Sequence, residues 1–189
     1  MDPYALRLTE LTRLIRRLSY REGDFTLASG KKSKFYVDLK NTTLHPEGAF
    51  LIGECAYELL AHQKLAVGGV GGLTLGADPL ATAVSLAARA RGAIWPAYIV
   101  RKEPKDHGTA RYIEGTENLK PGASLVVLED VVTTGGSSLK AIERLREAGY
   151  KPEVVLTVVD REQGGAEAFA AAGVKYLALT TLKKVSDTF

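Results

Sequence analysis

Glu129 and Asp130 stand side by side in the sequence, and behind them come the hydroxyls of Thr133, Thr134, Ser137 and Ser138 and the glycines Gly135 and Gly136. Glycine lets successive backbone N–H groups crowd toward one point, hydroxyls add further donors, and a helix beginning there presents the positive end of its dipole. Donors gathered in this way hold a phosphate. The two acids would repel it, so they are better suited to accept hydrogen bonds from the sugar hydroxyls of a ligand whose phosphate lies further along the chain, with Val131 and Val132 in between. A capped helix after a core strand is the plainer alternative, but a cap needs one polar residue, not two acids and a run of hydroxyls. The lysine of a nucleoside triphosphate loop and the leading glycines of a dinucleotide fingerprint are missing, so neither of those motifs fits.

Two further segments carry charge in a useful pattern. Arg101, Lys102, Glu103, Pro104, Lys105, Asp106, His107, Gly108 and Thr109 interleave acids with cations, so the free loop stays near neutral while the cations and an imidazole turn toward an incoming polyanion. Gly108 supplies a hinge, and the long stretch from 101 to 116 has the composition of a lid. Arg161 follows the apolar run 154–159, and its planar fork suits a carboxylate.

These residues need elements to hold them. The unbroken apolar run 125–128 reads as a strand buried on both faces, as in a parallel sheet covered by helices, and residues 138–148 read as a helix with Leu139, Ile142 and Leu145 on one face. Strand, loop and helix in that order place the loop at the carboxyl end of the sheet, where such folds bind ligands. Regular alternation continues on both sides: strands at 65–70, 94–100, 154–159 and 174–179, and helices at 46–61, 80–90 and 166–172. The expectation is an α/β fold with a parallel sheet flanked by helices. Before it, Asp2 and Pro3 open an amphipathic helix with Leu8, Leu11, Ile15 and Leu18 on its apolar stripe, and β-prone runs at 25–27 and 35–39 form a hairpin. Residues 1–40 stand outside the alternation and are expected to form a small N-terminal hood beside the active face.

With 189 residues the chain suits a single domain over 1–189. No segment is long and apolar enough to span a membrane, the first residues lack the core of an export signal, and the lone cysteine, Cys55, sits in a buried-helix pattern, so a reducing cytoplasm is expected. A net charge of +3 is too small to favour nucleic acid. The excess falls in two clusters, Lys31, Lys32, Lys34 and Lys40, then Arg101, Lys102 and Lys105, which fits a small polyanion.

The segment EDVVTTGGSS resembles the phosphoribosyl pyrophosphate (PRPP) motif of type I phosphoribosyltransferases. RKEPKDHG is similar to the catalytic loop of orotate phosphoribosyltransferases, VVDREQGG to the segment whose arginine binds the orotate carboxylate, and GGVGGLTLGAD at 68–78 to the pyrophosphate loop. FTLASGKKSKFYVD resembles the hood that packs over the base, with Phe35 and Tyr36 as stacking candidates. The likeness runs from 25 to 165 and departs from the best-known bacterial enzymes where Ala28 and Gly76 replace lysines; Lys31, Lys32 or Lys34 are the candidates to compensate.

The resemblance implies Mg²⁺-dependent transfer of ribose 5-phosphate from PRPP to orotate, giving orotidine 5′-monophosphate and pyrophosphate in pyrimidine synthesis. It implies PRPP contacts from Arg101, Lys102, Lys105 and His107, which also serve catalysis, and from Glu129, Asp130, Val131, Val132, Thr133, Thr134, Gly135, Gly136 and Ser137. Thr133 and Arg161 hold orotate, and no protein residue is assigned to the metal, which should arrive on PRPP. A homodimer whose lid reaches the partner's site is also implied. Transfer to another nucleobase, or a PRPP-sensing regulatory protein on the same fold, are the alternatives.

Overall fold

Asp2 caps the first helix, its carboxylate accepting the N–H of Tyr4 at 3.1 Å, and Pro3 opens it. Residues 2–26, 32–104 and 112–188 are described in the computed structural model of the protein, Ser33 by its backbone alone. Helix α1 spans Pro3–Leu18 and buries Leu11, Leu14 and Ile15. It packs on the main body of the molecule, in one core with residues of the central sheet, so the part of 1–40 that stands apart is the hairpin. That hairpin pairs β1, Tyr20–Thr26, antiparallel with β2, Lys32–Val37, as a separate two-stranded sheet.

The main body alternates strands and helices: α2 Lys40–Thr43, α3 Pro46–His62, β3 Gly69–Leu73, α4 Asp78–Ala90, β4 Ala97–Val100, β5 Ile113–Glu114, β6 Ser124–Val132, α5 Gly136–Glu147, β7 Lys151–Asp160, α6 Gly165–Ala171, β8 Lys175–Thr181 and α7 Leu182–Ser186. The six strands lie in the order β5-β4-β3-β6-β7-β8, all neighbours parallel except β4 and β5. From β3 the chain moves outward to β4 and β5, then returns beside β3 as β6 and moves the other way. The order reverses between β3 and β6, the kind of switch point beside which such sheets bind ligands at the carboxyl ends of their strands.

Strand β6 is apolar without alternation because both its faces are covered. Val126 and Leu128 join the core with α1, α3 and α4, while Leu125 and Val127 join the core with Ala141, Ile142 and Leu145 of α5 and Phe169 of α6. Each such side chain contributes about 1.5–3 kcal/mol on burial. The two cores fix β6 from both sides.

Several boundaries differ from the sequence expectations. The strand expected at 65–70 is Gly69–Leu73, and much of the glycine-rich stretch expected as a loop at 68–78 is this central strand. The reason is space. A Cβ on Gly71 would lie 2.0 Å from the carbonyl oxygen of Tyr98. The Tyr98 ring crosses β3 over Gly71, and its hydroxyl donates to the Val126 carbonyl on β6 at 2.9 Å. Burial pushes that phenol up, which keeps it a donor. The strand expected at 94–100 begins only at Ala97, and Ile94 is left exposed. Strand β6 does not stop at 128 but carries Glu129 and Asp130 within its pairing to β7. The edge strand β5 and the short helices α2 and α7 had no periodicity to announce them.

Gly71→Ala is expected to destabilise the fold by more than the ~1–3 kcal/mol of ordinary overpacking, because the obstacle is backbone. Thermal unfolding followed by circular dichroism measures it, and a melting temperature equal to the parent's would refute the close approach.

Candidate active site

The site grows from the end of β6. Residues 131–137 and Glu129 line a cavity of about 220 Å³ that opens at the turn into α5. Gly135 closes the turn at φ +83°, a left-handed conformation that costs a side chain dearly, and a Cβ there would meet the Phe169 ring at 2.8 Å. Its carbonyl accepts the Leu139 N–H at 2.9 Å as α5 begins. The N–H groups of the first turn of α5 therefore have no earlier helical partner and face the same end as the hydroxyls of Thr133, Thr134 and Ser137. This is an anion cradle.

Glu129 is 8% exposed, and Ser138 donates its hydroxyl to the Glu129 carboxylate at 2.8 Å. Burial pushes the Glu129 carboxyl up to about 7; the Ser138 bond opposes the rise and the charge of Asp130 adds to it. Asp130 is half-buried, accepts the N–H of Val131 at 2.8 Å, and stands against Gly76 in the turn after β3. A Cβ at Gly76 would come within 2.8 Å of that carboxylate, so the absent side chain leaves room for Asp130. In the same turn Thr74 donates to Asp78 at 2.7 Å. Lys40 lies within the field of Asp130, its ammonium 2.7 Å from Asp38; that bond raises the Lys40 pKa against partial burial, and Asp130 adds to the rise.

Arg161 follows β7, the strand beside β6, and its backbone N–H donates to the Val132 carbonyl at 2.9 Å. Its guanidinium lies 5.6 Å from the centre of the Phe35 ring, which joins the hairpin to the site. Its Nε is buried without a hydrogen-bond partner among the described residues. Phe35 also stacks near Tyr20 at 6.1 Å, whereas Tyr36 is exposed and tilted toward Phe25 at 5.7 Å. Of the two stacking candidates, Phe35 is the one that meets Arg161.

Glu129, residues 131–137 and Arg161 are thus brought to one end of the sheet, with Asp130 against the β3 turn. Arg101 and Lys102 are not among the residues lining the cavity. Arg101 pairs with Glu114 at 3.0 Å, and the carbonyls of Arg101 and Lys102 accept from Arg144. Lys105 and His107 lie outside the described residues, as do Ala28 and Lys31. Lys34 pairs with Asp24 at 2.5 Å on the exposed hairpin. Ser138, expected among the phosphate donors, is instead buried and spends its hydroxyl on Glu129, outside the residues that line the cavity; Arg144 had no assigned role and carried no signal beyond its place on a helix. Cys55 is buried and its thiol is pushed up to about 12, chiefly by burial, which suits packing and not chemistry.

An anion cradle at the switch point of a parallel sheet, entered past two acids on the strand itself, defines a type I phosphoribosyltransferase fold. The comparisons narrow this. No family model matches the chain. It is 52% identical over 178 residues to the orotate phosphoribosyltransferase of Thermosynechococcus vestitus, covering 94% of this chain and 90% of that protein. To the Nostoc sp. orotate phosphoribosyltransferase it is 49% identical over 180 residues, covering 95% and 85%. The Mycobacterium tuberculosis orotate phosphoribosyltransferase, solved with Fe(III) dicitrate, superposes with a TM-score of 0.84 at 43% identity, covering 95% of this chain and 98% of that one. In its complex with PRPP the same enzyme gives a TM-score of 0.80 at 40% identity, covering 95% and 99%. The chain belongs to the orotate phosphoribosyltransferase family.

Glu129 makes stability depend on pH in a defined direction. Its folded carboxyl titrates at about 7, above the ordinary 4.5, so the stability it lends is full below 4.5 and is lost as pH rises toward and through 7. Glu129→Gln removes that dependence. Denaturant unfolding across this window should show the parent losing stability relative to the variant as pH rises, and parallel curves would contradict the burial of an ionisable group.

Proposed function

We propose that the chain performs its family's reaction, transfer of ribose 5-phosphate from PRPP to orotate with release of pyrophosphate, through the site at the ends of β3, β6 and β7. The observation that carries this reading is Arg161, buried at its Nε without a partner among the described residues, beside a hydroxyl and glycine cradle. A planar carboxylate on the acceptor base satisfies such a fork, and Phe35 offers an aromatic wall next to it. Thr133 touches the base from the cradle side, Thr134 to Ser137 hold the 5-phosphate, and Glu129 and Asp130 accept from the ribose hydroxyls.

In the reaction a ring nitrogen of orotate forms a bond to the anomeric carbon as the bond to pyrophosphate breaks; the electron pair leaves on the pyrophosphate oxygen, and the proton of the ring nitrogen passes to pyrophosphate or solvent. Charge therefore builds on the leaving group, and donors aimed there lower the barrier most. We assign that task to Arg101, Lys102, Lys105 and His107 of the 101–116 loop, whose closure excludes water as a competing nucleophile. For Mg²⁺, no group of three His, Cys, Asp or Glu among the described residues is arranged to hold a metal ion, and the two acids at the cradle are adjacent on one strand. That donor set fits a cation carried on the oxygens of PRPP, with Asp130 and Glu129 holding the ribose hydroxyls beside it. When bound it neutralises the developing pyrophosphate charge.

We further propose a homodimer in which the loop serves the partner's site. Phe50 on α3 and Leu86 on α4, both exposed, line an apolar groove of about 330 Å³ that supports a self-contact. The product, orotidine 5′-monophosphate, places the chain in pyrimidine nucleotide synthesis. A cytoplasmic location fits substrates too highly charged to cross a membrane unaided.

Absorbance loss of orotate with PRPP and Mg²⁺, run beside uracil, hypoxanthine and adenine, tests the acceptor; preference for another base would overturn it. Arg161→Ala should lower kcat/KM for orotate roughly 10- to 100-fold, the size of a lost charge-assisted bond, while calorimetry finds PRPP binding retained. Equal loss of both would remove Arg161 from the base site.

The shared site has its own test. Lys105→Ala and Arg161→Ala homodimers should each be nearly inactive, and mixing them should restore up to about a quarter of parental activity in the whole mixture, since random re-pairing makes about half of the dimers hybrids and each hybrid carries one intact composite site of two. No recovery would mean the loop acts within its own subunit.

A further inference from the structure

Helix α5 carries the anion cradle at its N-terminus, and two turns further on it carries Arg144, whose guanidinium reaches the base of the 101–116 loop. Its Nη1 donates to the carbonyl of Arg101 and its Nη2 to the carbonyl of Lys102 at 2.8 Å. Both carbonyls stand just past the end of β4, with no further strand residues to pair them. The face of the same guanidinium lies 4.1 Å from the centre of the Tyr112 ring, where the chain returns from the loop. Arg101 and Tyr112 are also joined directly, the N–H of Arg101 donating to the Tyr112 carbonyl at 2.7 Å, and the Arg101 side chain pairs with Glu114 at 3.0 Å. One side chain on α5 therefore holds the outgoing stem by two hydrogen bonds and the returning stem by its π face.

We propose that Arg144 is a positioning residue for the transfer reaction: it fixes both stems of the 101–116 loop to the helix that holds the phosphate, so that the loop's cations are delivered at a set distance from the cradle. It touches no substrate and acts through Arg101, Lys102 and the residues beyond them. The proposal rests on the reading of that loop as the source of leaving-group stabilisation. Arginine is the residue the geometry requires. A planar fork spans two neighbouring carbonyls while stacking on an aromatic ring, and the point charge of a lysine does only one of these at a time. Arg144 and Tyr112 wall a cavity of about 510 Å³ that also borders Glu117, Glu147 and Tyr150, so no packed side chain stands ready to replace the clamp.

The reason this contact matters to rate and not only to stability is geometric. The cradle sits on α5 and the loop springs from β4, two strands away across β3. The stems are joined to each other at Arg101 and Tyr112, but without Arg144 their position relative to α5 would rest on the sheet between them alone. A misplacement of about 1 Å at a reacting centre costs on the order of 100-fold in rate.

The test uses the full-length enzyme with Arg144→Met, Arg144→Lys, Tyr112→Leu and the double variant Arg144→Met/Tyr112→Leu. Arg144→Met should lower kcat by roughly 10- to 100-fold while the dissociation constant for ribose 5-phosphate, which reports the cradle alone, stays within about twofold of the parent. Arg144→Lys should recover only part of the turnover, and Tyr112→Leu should add little to Arg144→Met, since the two act as one clamp. Turnover unchanged in Arg144→Met, or turnover and ribose 5-phosphate affinity falling together, would overturn the proposal. If Arg144→Met does not fold, Tyr112→Leu and Arg144→Lys carry the same readouts. Lys105→Ala separates the two levels: a drop in turnover there with none in Arg144→Met defeats the clamp alone, and unchanged turnover in Lys105→Ala defeats the loop reading and the clamp with it.

Discussion

Ala141, Ile142 and Leu145 hold α5 against the sheet in one buried row, and because a short helix moves as a body, this attachment sets the place of everything the helix carries. At its first turn are the N–H groups and hydroxyls of the cradle. Ser138 follows, reaching back to Glu129, and further along Arg144 reaches across to the stems of the 101–116 loop. The row of apolar side chains is worth several kcal/mol in burial, far more than any one of the polar contacts it positions. Loss of register between α5 and β6 would therefore disperse the site before it unfolded the protein. The left-handed turn at Gly135 against Phe169 is what lets strand pass to helix in so few residues without that loss.

The same attachment explains how two acids are tolerated beside an anion cradle. Glu129 is drawn into the body of the fold by its place on β6, and burial raises its carboxyl to about 7, so near neutral pH a large part of it is uncharged. Asp130 stays half-exposed and turns its oxygen to its neighbour's N–H, near Gly76 and within reach of the field of Lys40. The repulsion that a phosphate would meet is thereby reduced on one side by protonation and on the other by nearby positive charge. A hydroxyl-bearing sugar between the acids and the cradle is served by either state of Glu129, since a carboxyl accepts a hydrogen bond whether or not it is ionised.

What the sequence disclosed follows from the range over which each signal acts. The run 125–128 and the helix stripe of Leu139, Ile142 and Leu145 are local and repeat with the element, so the core unit was legible, and with it the cradle residues 131–137. Gly71 and Gly72 misled because glycine in sequence signals a turn, whereas here they mark a strand packed closely between its neighbours, Gly71 under Tyr98 on β4 and Gly72 against the Leu128 carbonyl on β6; the cause lies on other strands. Pairing to β7 likewise extended β6 through the acids, which no propensity for Glu or Asp would foretell. The hood was half legible for the same reason: the hairpin pattern is local, but the packing of α1 on the main core is not. Arg144 was silent because an arginine on a helix looks like any solvated face until the carbonyls it meets are in place.

Gly76 shows how a departure from family pattern is absorbed. Read in sequence, the absence of a lysine there removes a positive charge from the neighbourhood of the pyrophosphate. In three dimensions the vacated space is taken by the carboxylate of Asp130, which no side chain at 76 would leave untouched. A side chain at 76 would press its Cβ on that carboxylate and oblige it to shift; glycine leaves the acid where it is and the charge to come from elsewhere. Of the hairpin lysines proposed to compensate, Lys34 is paired with Asp24 on the exposed surface. In the proposed mechanism this shifts the burden of leaving-group stabilisation onto Mg²⁺ and the 101–116 loop. A loop that carries more of the electrostatic work must be placed more tightly, and the double hold of Arg144 on its stems, from the helix that also binds the phosphate, meets that requirement.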